Sequence, residues 1–196
     1  MIRSQETDHV PPPPDSGQHW LMHFDGSKRY WGLGAGVVLT SPKGCRLEYV
    51  LQIHFTASNN VSEYEALTHG LKLAKAMNIK WILYYGDSDL VVQQTTGHWD
   101  AKDPNMAAYR FFVQQLAGCF DGCEFHHIHR SNNEAADTLA NIGSLRGEIP
   151  PGFALEKLYK PSITPCPGSD STRMPPGTES DGSASSKPEV VEVLVI

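Results

Sequence analysis

Four acidic residues stand where they could act together: Asp25 in FDGS, Glu63 in NNVSEYEAL, Asp87 in YYGDSDL and Asp137 in NNEAADTLA. Carboxylates gathered from four separate elements repel one another unless cations intervene. Their oxygen atoms suit the hard ions Mg²⁺ or Mn²⁺. Taken singly, each acid also has an ordinary role. Asp25 and Asp87 read as turn residues, Glu63 as a partner of a helix dipole and Asp137 as a surface acid. A second group, Cys119, Cys123, His126, His127 and His129, raises the question of zinc. Zinc-finger pairs are separated by about a dozen residues, whereas these are nearly contiguous. The stretch GCEFHHIH also alternates like a strand, which sends neighbouring histidines to opposite faces. They read as scattered core and surface residues.

What the four acids do depends on the elements that carry them. HWLMHFDGS alternates, with Trp20, Met22 and Phe24 on one face and Leu21, His23 and Asp25 on the other, so Asp25 ends a first strand on the face opposite the apolar trio. GLGAGVVLTSP and CRLEYVLQIHF follow as second and third strands, joined by short loops into an antiparallel meander. A helix from about Asn60 to Met77 carries Tyr64, Leu67, Leu71 and Ala74 on one face. Glu63 lies in its first turn and points along that packed face. KWILYYG is a fourth strand. Asp87 stands at its end, before a helix that Ser88 can cap, where open α/β sheets hold their ligands. Pro104 opens another helix that ends near Cys119, GCEFHHIH is the last strand, and a final helix over Asn132–Ile142 is stopped by Gly143. Asp137 lies near the start of that helix. The order βββαβααβα predicts an α/β fold, a mixed sheet with helices on its faces. The acids meet if strands one and four are parallel neighbours.

Composition sets the limits of the domain. The chain has 196 residues, 40 % hydrophobic and 19 % charged, which suits one packed domain with tails. Lys+Arg 16 against Asp+Glu 22 speaks against holding nucleic acid by bulk positive charge, but not against meeting it through metal ions. No run approaches the roughly 18 apolar residues of a membrane helix, and MIRSQETDHVPPPP lacks the apolar centre of a secretory signal. Four cysteines do not make a disulfide scaffold in a chain this long. A reducing cytoplasmic or nuclear compartment is the expectation. Residues 1–17 read as a disordered leader, 18–145 as the domain, 146–159 as an extension and 160–196 as a disordered Pro/Ser-rich tail. Within 160–188, 16 of 29 residues are Pro, Gly or Ser, too little apolar surface to offset chain entropy. VVEVLVI closes the sequence.

FDGS after an alternating strand, NNVSEYEALTHGL, YYGDSDLVVQQ and HRSNNEAADTLA occur in this order across about residues 18–143. Together they resemble the ribonuclease H family, most nearly the ribonuclease H domain in polyproteins of plant gypsy-type LTR retrotransposons. PPGFALEKLYKPSI and the Pro/Ser-rich tail resemble the spacer that follows that domain, before integrase. The resemblance implies a ribonuclease H-like fold with a five-stranded sheet ordered 3-2-1-4-5, and endonucleolytic hydrolysis of the RNA strand of an RNA–DNA hybrid. It implies two Mg²⁺ ions, with Mn²⁺ as the alternative. Asp25 would bridge both ions, Glu63 and Asp87 would complete the one on the leaving-group side, and Asp137 would hold the one that activates water. Gly26, Ser27, Asn59 and Asn60 would bind substrate. Arg130 would take the catalytic-loop place that a histidine fills in bacterial members. The implied partners are the hybrid and, in a parent polyprotein, the reverse transcriptase and integrase portions. The protein itself would be a monomer away from membranes.

The pattern departs from the bacterial one in two places. His127 and His129 fall in the predicted last strand rather than in the loop, and are secondary candidates. The basic handle is missing, since Lys102 and Arg110 are the only cations between Leu90 and Cys119. Residues 17–146 hold 11 Lys+Arg and 12 Asp+Glu, so hybrid binding should be weak and salt-sensitive. A catalytically inactive, hybrid-binding remnant of a retrotransposon polyprotein is the second reading, and a related nuclease with a similar acidic site the third. The presence of all four acids and both asparagines favours the active enzyme, and NNVSE favours ribonuclease H over its relatives.

Overall fold

Alternation sends Met22 and Phe24 fully inward from strand β1 (Trp20–Arg29). That strand pairs antiparallel with β2 (Gly32–Thr40), which pairs antiparallel with β3 (Arg46–Ile53). The computed structural model describes residues 18–164 and 194–195. Helix α1 (Asn59–Ala76) opens on Ser58, whose hydroxyl accepts the Val61 N–H at 3.3 Å. It buries Tyr64, Leu67, Leu71 and Ala74 completely, the face expected from their spacing. Burying each of the two leucines contributes about 1.5–3 kcal/mol. Strand β4 (Trp81–Gly86) lies parallel to β1, with His23 opposite Tyr85. Helices α2 (Asp89–Thr95) and α3 (Pro104–Ala117) follow, the first capped by Ser88 and the second by Asp103. Strand β5 (Gly122–His127) then pairs parallel with β4. A short 3-10 turn (Arg130–Asn132) leads into α4 (Glu134–Leu145). Among the described residues no helix is long and apolar enough to cross a membrane.

The order β5-β4-β1-β2-β3 is the implied one. The sheet continues past β3, however, through β6 (Ala154–Leu158), parallel to β3, and β7 (Leu194–Val195), antiparallel to β6. The expectation of five strands becomes seven because β3 would otherwise leave a row of unpaired backbone groups at the edge, which the extension supplies with partners. Three further boundaries shift. β1 does not end at Asp25 but runs on to Arg29, because its pairing with β2 continues from Asp25–Gly36 to Arg29–Gly32. Glu63 stands in the second turn of α1, since the helix starts at Asn59. α4 does not stop at Gly143. It runs to Leu145 and is capped by Arg146, which takes the left-handed conformation at φ 59°. Gly143 instead lies against β3, where a Cβ would come 2.3 Å from the Leu51 carbonyl oxygen.

Close packing of α4 on β2 fixes the height of Asp137 over the sheet. A Cβ at Gly36 would lie 2.4 Å from the Ala136 carbonyl oxygen, so the GLGAG glycines let the helix backbone settle directly onto the strand. On the opposite side, fully buried Glu65 binds the segment after β6 to α1 and α3. It accepts hydrogen bonds from the Tyr109 hydroxyl, the Ser162 backbone N–H (2.7 Å) and the Ser162 hydroxyl (2.6 Å). Ser162 and Ile163, assigned to the tail from composition, are therefore seated against the domain, with Ile163 on the core. The leader over 1–17, the tail over 165–193 and Ile196 lie outside the described residues. Glu65→Ala would leave three donors without their acceptor, so a loss of about 3 kcal/mol is expected. A thermal melt reads it, and an unchanged midpoint would show that the network holds nothing.

Candidate active site

Four elements deliver the acids to one edge of the sheet. Asp25 projects from the middle of β1 on the face opposite Met22 and Phe24, and Asp87 follows the last residue of the parallel neighbour β4. Glu63 reaches them from α1 because β1 carries glycine next to Asp25. A Cβ at Gly26 would stand 2.5 Å from the Glu63 backbone nitrogen and 2.5 Å from the Ser62 hydroxyl. Asp25 and Glu63 are each only 4 % exposed. One carboxylate oxygen from each of Asp25, Glu63 and Asp87 lies within 4.8 Å of the others.

Such crowding is costly without a cation. Burial, and next the Asp87 charge, push the Asp25 carboxyl up to about 7. Burial, followed by Asp25 and Asp87, pushes Glu63 well above the ordinary carboxylate range. Glu63 Oε2 is buried without a hydrogen-bond partner. An orphaned acceptor inside a ring of carboxylates is what a hard cation satisfies. Among the described residues this is the only such group of metal-ligating side chains. Cys119, Cys123 and the three histidines do not form a second one.

Asp137, in the first turn of α4, faces the same cleft of about 290 Å³. Its Oδ1 accepts from Arg130 Nη2 at 3.0 Å and its Oδ2 from Asn141 Nδ2 at 3.1 Å. The hydrogen bond from Arg130 to Asp137, and then that acid's charge, keep the guanidinium firmly protonated, although its side chain is 76 % exposed. Asn133 holds the arginine's loop in place. It is buried, and its side-chain amide donates to the Phe24 carbonyl at 3.0 Å. The turn that bears Arg130 is thus tied to the residue before Asp25.

Of the substrate-binding candidates, Gly26, Ser27 and Asn59 line the cleft. Asn60 does not, because the next helical position turns about 100° away. β5 ends at His127, so His129 is not in the strand as expected. It caps the 3-10 turn, its Nδ1 accepting the Ser131 N–H at 3.3 Å. His127 sits beside the acids instead, with Nε2 3.4 Å from the Asp87 carbonyl and 3.5 Å from the Asp89 carboxylate. Lys28, Arg29 and Asn141 also line the cleft and were not singled out from sequence. Two signals were available. Arg29 shares the strand face of Asp25 by alternation, and Asn141 lies one helical turn beyond Asp137. Asn141 Oδ1 accepts from both Ser27 Oγ and Arg29 Nη2 at 2.9 Å, joining β1 to α4.

Residues 23–143 match the model of a family described as reverse transcriptase-like. The chain is 36 % identical over 130 residues to the ribonuclease HI of Halobacterium salinarum, a match covering 65 % of each protein. It is also 36 % identical over 110 residues to a bifunctional protein of Mycobacterium tuberculosis, of which it spans 30 %. The chain therefore spans less than two thirds of these relatives. Among solved structures, the ribonuclease H1 of the same halophilic archaeon superposes with a TM-score of 0.60 at 33 % identity, covering 66 % of this chain and 99 % of that one. The N-terminal ribonuclease H domain of the mycobacterial protein gives 0.58 at 28 %, covering 65 % and 94 %. A ribonuclease H1 isolated from compost and solved in complex with an RNA/DNA hybrid gives 0.54 at 28 %, covering 62 % and 94 %.

Proposed function

This chain belongs to the ribonuclease H family, in the group described as reverse transcriptase-like, and from that premise we propose that it hydrolyses the RNA strand of RNA–DNA hybrids endonucleolytically. The observation that carries the reading is the convergence of Asp25, Glu63 and Asp87 around the partnerless Glu63 oxygen. This donor set fits two divalent cations, Mg²⁺ or Mn²⁺. Asp25 would be shared between them, Glu63 and Asp87 would hold one and Asp137 the other. Ions bound there supply an activated water and offset the charge that develops on the leaving 3′ oxygen.

The chain's own residues set the stage for that chemistry. Burial and mutual repulsion raise the carboxyls of both Asp25 and Glu63 in the metal-free state, so cations compete with protons for these oxygens. Asn59, Gly26 and Ser27 present polar groups along the cleft, and an RNA strand offers them a 2′-hydroxyl that DNA lacks. Arg130, exposed and tethered to Asp137, is free to swing its second nitrogen toward a phosphate. The motif set, the spacer-like 146–164 and the Pro/Ser-rich sequence beyond favour an origin in a retrotransposon polyprotein, whose reverse transcriptase and integrase portions would be its partners.

The deciding assay incubates the protein with a labelled RNA–DNA hybrid, with and without Mg²⁺, beside single-stranded RNA and duplex DNA. Cleavage confined to the RNA of the hybrid supports the reading. A hybrid bound but left uncut would favour the inactive remnant instead. Arg130→Ala is expected to slow turnover about 10- to 100-fold without eliminating it, because it removes one charge-assisted contact and no carboxylate. Wild-type kcat in that variant would remove Arg130 from the mechanism.

A further inference from the structure

The hairpin between β1 and β2 ends in Tyr30 and Trp31, whose rings meet edge to face at 4.9 Å. They are 93 % and 70 % exposed, the two most exposed large apolar side chains among the described residues. The same strand carries Lys28 and Arg29 into the wall of the cleft. Lys28 Nζ donates to the Ala57 carbonyl at 3.1 Å and Arg29 to the Asn141 amide oxygen at 2.9 Å. Both partners are neutral, so neither cation is neutralised by a carboxylate among the described residues. The sequence from Asp25 to Trp31 therefore runs from acids through two cations to a pair of free aromatic faces.

This order is complementary to a nucleic-acid strand, with phosphates for the cations and π faces for the rings. Inside a duplex the base faces are already stacked on one another. Only unpaired nucleotides offer them to a side chain. We propose that Tyr30 and Trp31 form a stacking platform for unpaired nucleotides that extend from the end of a hybrid held in the cleft. At about 3.3 Å per strand residue, Tyr30 lies roughly 17 Å along β1 from Asp25. A strand that advances about 3.4 Å per nucleotide meets the platform some five nucleotides from the cleavage site. The platform offsets part of the grip that a near-neutral domain lacks. It rests on the hybrid-cleaving reading for what occupies the cleft, while its stacking can be read separately.

Two measurements test it. The first is steady-state cleavage of two hybrids with the same paired length, one blunt and one with a ten-nucleotide single-stranded extension. The wild type should show a KM roughly tenfold lower for the extended substrate. Tyr30→Ala/Trp31→Ala should raise that KM to the blunt value, and Trp31→Phe should keep the preference. The second is titration of intrinsic tryptophan fluorescence in metal-free protein with a single-stranded ten-mer. The wild type should be quenched and Trp31→Phe should not, with Trp20, Trp81 and Trp99 as the unchanged background. Equal KM values in the wild type, or a preference that survives the double alanine change, would overturn the platform. If the wild type cleaves neither hybrid, the hydrolase reading fails, and the fluorescence titration alone decides the platform, with no Trp31-dependent quench counting against it. The titration also decides if the double variant does not fold. A dimer that dissociates on the double alanine change, with no quench by the oligonucleotide, would identify a second copy of the chain as the occupant and overturn the proposal.

Discussion

Asp25→Asn is expected to lower hybrid cleavage by roughly 10³-fold or more, since it removes an anionic ligand from a site that must concentrate several kcal/mol of charge stabilisation. Folding should survive. The change is nearly isosteric, and it relieves the repulsion that crowds Asp25 with Glu63 and Asp87. In metal-free protein the variant should therefore melt at or above the wild-type temperature. The pH dependence has a definite sign. The Asp25 carboxyl titrates near 7 in the folded state against 3.8 ordinarily. Its stabilising protonated form is thus fully present below pH 4, and the contribution is lost as pH rises through 7. The asparagine has no such proton to lose. The margin by which the variant exceeds the wild type should widen between pH 5 and pH 8, by an amount of the order of 2 kcal/mol. A thermal melt without metal and a cleavage assay with it, on the same preparation, make the test. Wild-type cleavage by Asp25→Asn would refute the assignment of the site. A margin that narrows with pH would refute the electrostatic account.

Removing divalent cations is expected to have an equally large effect. Cleavage should vanish in excess EDTA and return with Mg²⁺ or Mn²⁺. Because the cations bind only where the folded chain gathers the carboxylates, they also stabilise the fold. At a hundredfold excess over Kd a single bound ion contributes about 2.7 kcal/mol, a rise of roughly 5–10 °C in Tm for a domain of this size. Glu63→Gln should abolish most of that rise, since it strips the charge from the buried oxygen that lacks any other partner. Full activity in EDTA, or a melting temperature indifferent to Mg²⁺, would remove metal ions from the mechanism.

Much of this architecture was legible along the chain because its signals are local. Apolar alternation in HWLMHF, the 3.6-residue spacing of Tyr64, Leu67, Leu71 and Ala74, and capping by Ser88 depend on neighbours a few positions apart. They placed the elements to within a few residues. The ends of β1 and α4 were misread for a matching reason. Glycine after Asp25 and at position 143 is also a stop signal. Here both glycines serve close backbone approach between segments far apart in sequence. The extension was read as following the domain, because nothing local to ALEKL names the edge strand it joins.

From its own residues, the sequence determined which acids were available, on which elements they sit and which face of each element is apolar. Those properties follow from side-chain chemistry and backbone periodicity. Tertiary structure alone decided how near the acids come to one another, and hence that burial and mutual charge raise the Asp25 and Glu63 carboxyls. It decided that Asn141 ties Asp137 to β1, that Asn59 and not Asn60 lines the cleft, and that Arg29 faces it with Tyr30 and Trp31 exposed beyond. The reason is that burial and charge coupling vary with distances between atoms, and those distances are set by how α1 and α4 settle onto the glycines of β1 and β2.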